Sequence, residues 1–325
     1  MLNPKNGFIV IEKIGPRMII WENKEYFKKS STYNDLFLDD DLATFGKHLA
    51  SYANKESLIF DKNSPWPNEE MLRSLSWLKE MTQNKKVIYK ELPLYSSFLL
   101  MKQEKKDAPL AIILGGGGYE TVCTLPEALP VARKFYFEGY NAITFSYPTK
   151  KYAIKALPSL INLVSYLKEH QEELGISINN YLLGGFSAAG HLVGEFASDN
   201  FGYMKHNLPK PSLIFLGYPV ISMMREYTHL GSRNALLGKN PSKELIEEYS
   251  LEKHVSKDYP STFIWACKDD NVVSSKNSLL LSEALAKENI NHELLLFPGS
   301  VHGYGIGNNT PVEPWFYLLM EFLKQ

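Results

Sequence analysis

From about Leu110 to the C-terminus, short runs that are apolar throughout alternate with amphipathic segments of helical spacing. Strands are expected at Leu110–Leu114, Asn141–Ser146, Asn180–Leu183, Ser212–Leu216, Thr262–Ala266 and Glu293–Phe297. Helices are expected near Pro126–Phe137, Ile154–Glu173, Ala188–Ser198, Ser275–Glu288 and Pro314–Leu323. A strand that is apolar at every position must be covered on both faces, and strands separated by helices run parallel. The pattern predicts an α/β fold with a mostly parallel sheet flanked by helices. A chain of 325 residues has room for one such domain and a substantial extension.

The first 85 residues break the alternation. Phe8–Glu12 and Arg17–Trp21 read as two strands around Gly15-Pro16. Helical patterns follow near Asp41–Asn54 and Asn68–Gln83, with Asn68 expected to cap the second. Val87–Tyr95 and Phe98–Lys102 read as a hairpin that opens the sheet. The expected organisation is an N-terminal α+β extension or small subdomain over 1–85 and a catalytic domain over 86–325. Within the latter, the polar segment 221–258 interrupts the alternation and reads as a lid or pocket wall, with a helix near Lys243–Tyr249.

The formal net charge of −1 offers no basic field for nucleic acid. Two cysteines, Cys123 and Cys267, imply no disulfide framework and suit a reducing compartment. The N-terminus lacks the basic start and long apolar core of a signal peptide, and no run approaches the roughly 18 apolar residues of a membrane span. A cytoplasmic location without a membrane partner is the expectation, and the oligomeric state is left open.

The run Tyr181-Leu-Leu-Gly-Gly-Phe-Ser-Ala-Ala-Gly-His191 carries the chemistry. A buried strand enters a serine between small residues, and a helix follows. That setting can place the Ser187 hydroxyl on a sharp turn with helix amides facing the reacting carbonyl. The alternative is a buried serine that caps the helix. Upstream, Gly115–Gly118 directly follows a strand. Glycines let such a loop lie flat against a substrate and offer amides to a developing oxyanion, with Gly116 and Gly117 preferred and Ala188 as the second donor. No Gly-Lys-Ser/Thr follows, so a phosphate loop does not fit. Downstream, His302 lies in a turn-rich segment after the last strand and is the candidate base. Asp269 and Asp270 follow the preceding strand, and composition does not separate them as the acid that orients it.

Together these residues resemble the α/β-hydrolase superfamily, and more narrowly its acetyl esterase/lipase group with acetyl-xylan-esterase-like and feruloyl-esterase-like members. The resemblance runs from Leu110 to the C-terminus. It rests on Gly116-Gly-Gly-Tyr119 with Glu127 behind it, on Gly185-Phe-Ser-Ala-Ala-Gly-His-Leu192, and on the insertion motifs Gly231-Ser-Arg, Leu236-Leu-Gly238 and Tyr249-Ser-Leu-Glu-Lys-His-Val255. The acid loop, Trp265-Ala-Cys-Lys-Asp-Asp270-Asn-Val-Val273 followed by Asn277-Ser-Leu279, aligns so as to select Asp270. The resemblance implies a Ser187-His302-Asp270 serine esterase for small acyl esters, acetylated sugars among them, with no metal and no organic cofactor. Ala189 stands where the group has glycine, Ala266-Cys267 where it has His-Thr, and Ser274 where it has proline.

Two other functions share these features: a small-peptide peptidase with the same triad, and a non-catalytic binding protein that uses the extension. Trp66, Trp77 and the early tyrosines read either as core or as platforms for sugars. Cys123 reads either as a plain buried thiol or as a wall of the acyl pocket. His206 and His229 lack the spacing of a metal site.

Overall fold

A computed structural model describes residues 8–14 and 17–325, with side chains from residue 24 onward. Strands β1 (Phe8–Ile14) and β2 (Arg17–Asn23) pair antiparallel, and the expected turn at Gly15-Pro16 lies outside the described residues. Helices α1 (Tyr33–Leu38), α2 (Gly46–Ala50) and α3 (Asn68–Gln83) lead to the hairpin β3 (Val87–Leu92) and β4 (Ser96–Met101). Then follow β5 (Leu110–Leu114), α4 (Leu129–Phe137), β6 (Asn141–Ser146), α5 (Ala156–Glu169), α6 (Gln171–Leu174), β7 (Leu182–Phe186), α7 (Ala188–Ala197) and β8 (Leu213–Gly217). The chain ends with α8 (Leu230–Leu237), α9 (Lys243–Glu248), β9 (Ser261–Cys267), α10 (Lys276–Lys287), β10 (His292–Phe297) and α11 (Trp315–Phe322).

The main sheet has the order β10-β9-β8-β7-β5-β6-β4-β3. Its pairs are parallel except β3–β4 and β4–β6. Because successive side chains leave opposite faces of a strand, each central strand feeds two cores. Ala111 and Ile113 join one with Phe186, Phe215 and Trp315. Leu110, Ile112 and Leu114 join the other with Leu183, Ile214 and Leu192. Burial on both faces is the physical reason these strands are apolar throughout.

The extension adds to the first core rather than building its own around residues 24–85: Phe27, Leu36, Leu49, Leu75 and Trp77 are buried there with sheet residues. Two polar links reinforce the junction. Buried Glu70 of α3 pairs with buried Arg133 of α4 at 3.3 Å. His48 of α2, also buried, bonds Ser97 of β4 and Thr144 of β6, both at 2.8 Å.

Three local expectations change. The helix expected over Asp41–Asn54 is a 3-10 turn, Ala43–Phe45, leading into the short α2. Gly46, itself helical, opens α2 where a β-carbon would stand 2.5 Å from the Phe37 ring. Asn68 does not cap α3: the helix begins at that residue, and its side-chain amide bonds the backbone of Asp61 instead. Helices α1 and α8 are additional. The first is opened by a capping box in which Thr32 and Asp35 satisfy each other's amides.

Candidate active site

Ser187 stands between β7 and α7 with φ 52° and ψ −121°, a conformation L-residues rarely adopt. The strain is held by backbone bonds: the Ser187 amide donates to Gly217 O at 2.9 Å, and its carbonyl accepts from Gly190 and Val220 at 3.0 Å. The turn is sharp enough that a β-carbon on Gly185 would stand 2.4 Å from Ala189 O. Ala189 keeps its own methyl in a fully buried site. The close-approach requirement falls on Gly185 and on Gly190, which faces Pro219, so alanine is accommodated between them.

The loops after β9 and β10 bring two further side chains to this turn. His302 Nε2 lies 2.9 Å from Ser187 Oγ, and His302 Nδ1 lies 2.7 Å from Asp270 Oδ2. The other Asp270 oxygen accepts the amides of Val272 and Val273, both at 2.9 Å. With four charge-assisted contacts of this kind available to a carboxylate, Asp270 is fixed and buried, whereas Asp269 is exposed. The side-chain partners set the histidine tautomer: Nδ1 donates to the carboxylate, which leaves Nε2 to accept from the serine hydroxyl.

The glycine loop passes directly beside the serine, since a β-carbon on Gly116 would stand 2.8 Å from Ser187 Cβ. Of the two glycines expected as oxyanion donors, Gly116 has its amide committed elsewhere: it donates to Glu127 Oε2 at 2.5 Å. Gly117, at φ 121°, makes a turn that other residues would find strained. Its carbonyl accepts from Glu120 and Thr121. Ala188 is the first residue of α7, where helix amides lack intrahelical acceptors.

Sequence reasoning gave no role at the site to two side chains. Tyr218, which follows β8, donates its hydroxyl to Glu127 Oε1 at 2.8 Å and accepts the Gly305 amide at 3.0 Å. Its ring meets the His302 ring edge-on at 4.6 Å. Glu127 and Tyr218 therefore connect the glycine loop to the histidine loop. Burial pushes the Glu127 carboxyl above its ordinary range, against the pull of the Gly116 amide, the Tyr218 hydroxyl and the nearby His302. Tyr218 was detectable in principle, as the residue leaving a strand at the edge that holds the other site loops.

His229 is the other. It caps α8 by accepting the Ser232 amide at 3.3 Å on Nδ1, which places its ring proton on Nε2 when neutral. A β-carbon on Gly118 would stand 3.9 Å from its Cε1 and 3.8 Å from Ser232 Oγ. The insertion thus begins its helix over the glycine loop. Burial keeps the His229 pKa below its usual value; His302 lowers it further and Asp270 opposes. Buried His191, on α7, ties the same region together through Tyr119 Oη at 2.9 Å and Tyr249 O at 2.8 Å. Both thiols are buried; burial, and beside Cys123 the carboxylate of Glu127, push their pKa values up, that of Cys267 to about 11.

Among the described residues, no group of three or more His, Cys, Asp or Glu side chains is placed to hold a metal ion. No helix among them is long and apolar enough to cross a membrane.

The chain matches the family model described as BD-FAE over residues 97–285. It is 31% identical over 281 residues to endo-1,4-beta-xylanase B of Butyrivibrio fibrisolvens, covering 83% of this chain and 43% of that protein. It is 32% identical over 136 residues to an acetylxylan esterase of Xylanibacter ruminicola, covering 41% of this chain and 27% of the relative. The chain thus spans less than half the length of these curated relatives. Among solved structures, an acetyl ester-xyloside bifunctional hydrolase from Caldicellulosiruptor lactoaceticus superposes with a TM-score of 0.64 at 30% identity, over 72% of this chain and 89% of that one. The sheet order, the strand-turn-helix at Ser187 and these likenesses agree: the chain belongs to the BD-FAE family of α/β-hydrolases.

Proposed function

We propose that the protein is a serine carboxylesterase that removes short acyl groups from esterified sugars, xylose-based chains among them. The observation that carries the reading is the continuous hydrogen-bonded series Asp270–His302–Ser187 at the turn between β7 and α7. His302 takes the Ser187 proton as Oγ attacks the ester carbonyl, and Asp270 stabilises the imidazolium that results. The oxyanion is held by the amides of Gly117 and Ala188. His302 then protonates the departing sugar oxygen. Water, deprotonated by the same imidazole, attacks the acyl-enzyme and releases the acid. The sugar part of the proposal draws on the relatives, two of which are named for xylan and one for an acetyl ester and a xyloside. Segment 221–258, whose helix α8 starts over Gly118, serves as a pocket wall in this scheme.

The test is hydrolysis of p-nitrophenyl acetate, butyrate and octanoate by the wild type and Ser187→Ala. Turnover of the short esters is expected, with kcat lost by about 10⁴-fold or more in the variant. An inert wild type whose Ser187 also resists a serine-reactive phosphonate would overturn the esterase reading.

A further inference from the structure

Beside the candidate active site lies a cavity of about 910 Å³ that the chemistry above does not use. We propose that it binds the carbohydrate chain that carries the scissile ester, which rests on the esterase reading but adds a separate site to it.

Its position suits that role. The cavity is walled by Glu120 and Thr121, which leave the glycine loop directly, and by Ser146 at the carboxyl end of β6. Strand β4 runs antiparallel to β6, so its first residues lie opposite Ser146 at that same edge. Strands β6 and β4 are two and three places from β7, which carries Ser187. At about 4.8 Å per strand, the cavity centres roughly 10–14 Å along the edge from the nucleophile. An esterified chain bound at Ser187 would reach it within a few sugar units.

Its lining suits that ligand. A pyranose has apolar C–H faces and a rim of hydroxyls, so it asks for aromatic rings interleaved with polar groups. Tyr52, Tyr89, Tyr95 and Tyr152 line the cavity, with Glu91 and Ser51 among its polar groups. Lysines 47, 150 and 151 are balanced in part by Glu91 and Glu120, which is not the single-sign lining an anion site needs.

The turn that presents Tyr95 is the most pointed observation. Between β3 and β4, Leu94 and Tyr95 both take left-handed conformations, φ 65° and 60°. Glycine or asparagine is favoured there. Instead a tyrosine is held out with 71% of its surface exposed, stacked on Tyr152 at 4.6 Å. Local strain carried by an exposed aromatic residue at a cavity mouth points to a ligand. Residues 47–52 and 89–96 lie outside the span matched by the family model, 97–285, so much of this wall belongs to the extension and the hairpin.

The experiment is calorimetric titration with unesterified β-1,4-xylohexaose, alongside p-nitrophenyl acetate hydrolysis and thermal melting. Wild type and Ser187→Ala are expected to bind the oligosaccharide alike. Tyr95→Asn and Tyr152→Ala should each weaken binding about tenfold or more and leave kcat/KM for the small ester within twofold. Tyr95→Asn should also melt at a higher temperature, since asparagine tolerates the turn. Equal binding by all variants, or no binding by a wild type that hydrolyses the small ester, would overturn the proposal. Oligosaccharide binding without any ester hydrolysis would instead retain the cleft and overturn the esterase reading.

Discussion

Glu127 shows how a single side chain can be recognised in sequence while its role stays illegible there. The resemblance marked it as a glutamate behind the glycine loop, but only its contacts reveal that both its oxygens accept, one from Gly116 N–H and one from Tyr218 Oη–H. A carboxylate is acceptor-only, whereas a glutamine presents one donor face. In Glu127→Gln either the Gly116 amide or the Tyr218 hydroxyl therefore meets an NH₂ group. The expected result is a fall in kcat of about tenfold with KM for p-nitrophenyl acetate nearly unchanged, because loop geometry rather than substrate contact is lost. Protonation of the wild-type carboxyl has the same consequence. Since burial raises its pKa, activity should fall as pH drops through that raised value, and that acid limb should be absent in the Gln variant. Matching pH profiles in the two proteins would show that Glu127 plays no such part.

At the level of elements, the elbow was legible because strand, serine and helix are contiguous in the chain. The spacing rule alone made Ala189 a departure. The crossing of β7 and α7 explains why it is harmless: the tight contact is between a β-carbon at 185 and the backbone at 189. A methyl added at 185 has only backbone to push against, whereas one at 189 already sits in the core. Gly185→Ala is expected to destabilise the fold by about 1–3 kcal/mol through overpacking, and Ala189→Gly by about 1 kcal/mol or less through helix propensity. Urea midpoints of the two variants measure the contrast, and a similar cost for both would contradict it. Helices α1 and α8 escaped the sequence reading because they are short and their caps are unusual. Asp35 takes the place usually held by glutamate in the first, and a histidine caps the second.

Across the whole molecule, His48 joins the extension to the sheet from inside the core. Its burial lowers its pKa from 6.5 to about 3. Below pH 6.5 the unfolded chain binds a proton at this residue that the folded chain refuses, so stability must fall as pH drops from 6.5 toward 3. The slope from this one group is about 1.4 kcal/mol per pH unit. Glu127 acts with the opposite sign: its raised pKa leaves the folded chain holding a proton that the unfolded chain releases above 4.5, so its share falls as pH rises through that window. The two are separated by difference. His48→Gln is expected to be less stable at pH 7, with a dependence between pH 6.5 and 5 shallower by about one proton. Denaturation series at several pH values read this directly, and an unchanged slope would mean His48 titrates normally.

The sequence by itself determined the α/β class and the neighbourhood of the serine, because apolar periodicity and the strand-turn-helix run are local properties of contiguous residues. It also placed His302 and the pair Asp269 and Asp270 on loops that must emerge at one edge of a parallel sheet, with the family resemblance selecting Asp270. Only the tertiary structure showed that the Gly116 amide is already engaged, since the acceptor that occupies it lies 11 residues away across a buried turn. The same holds for Tyr218 against His302 and for the joining of residues 47–52 to the hairpin around one cavity. Such contacts arise between side chains far apart in the chain, and their geometry is set by how the two cores pack rather than by any spacing along it.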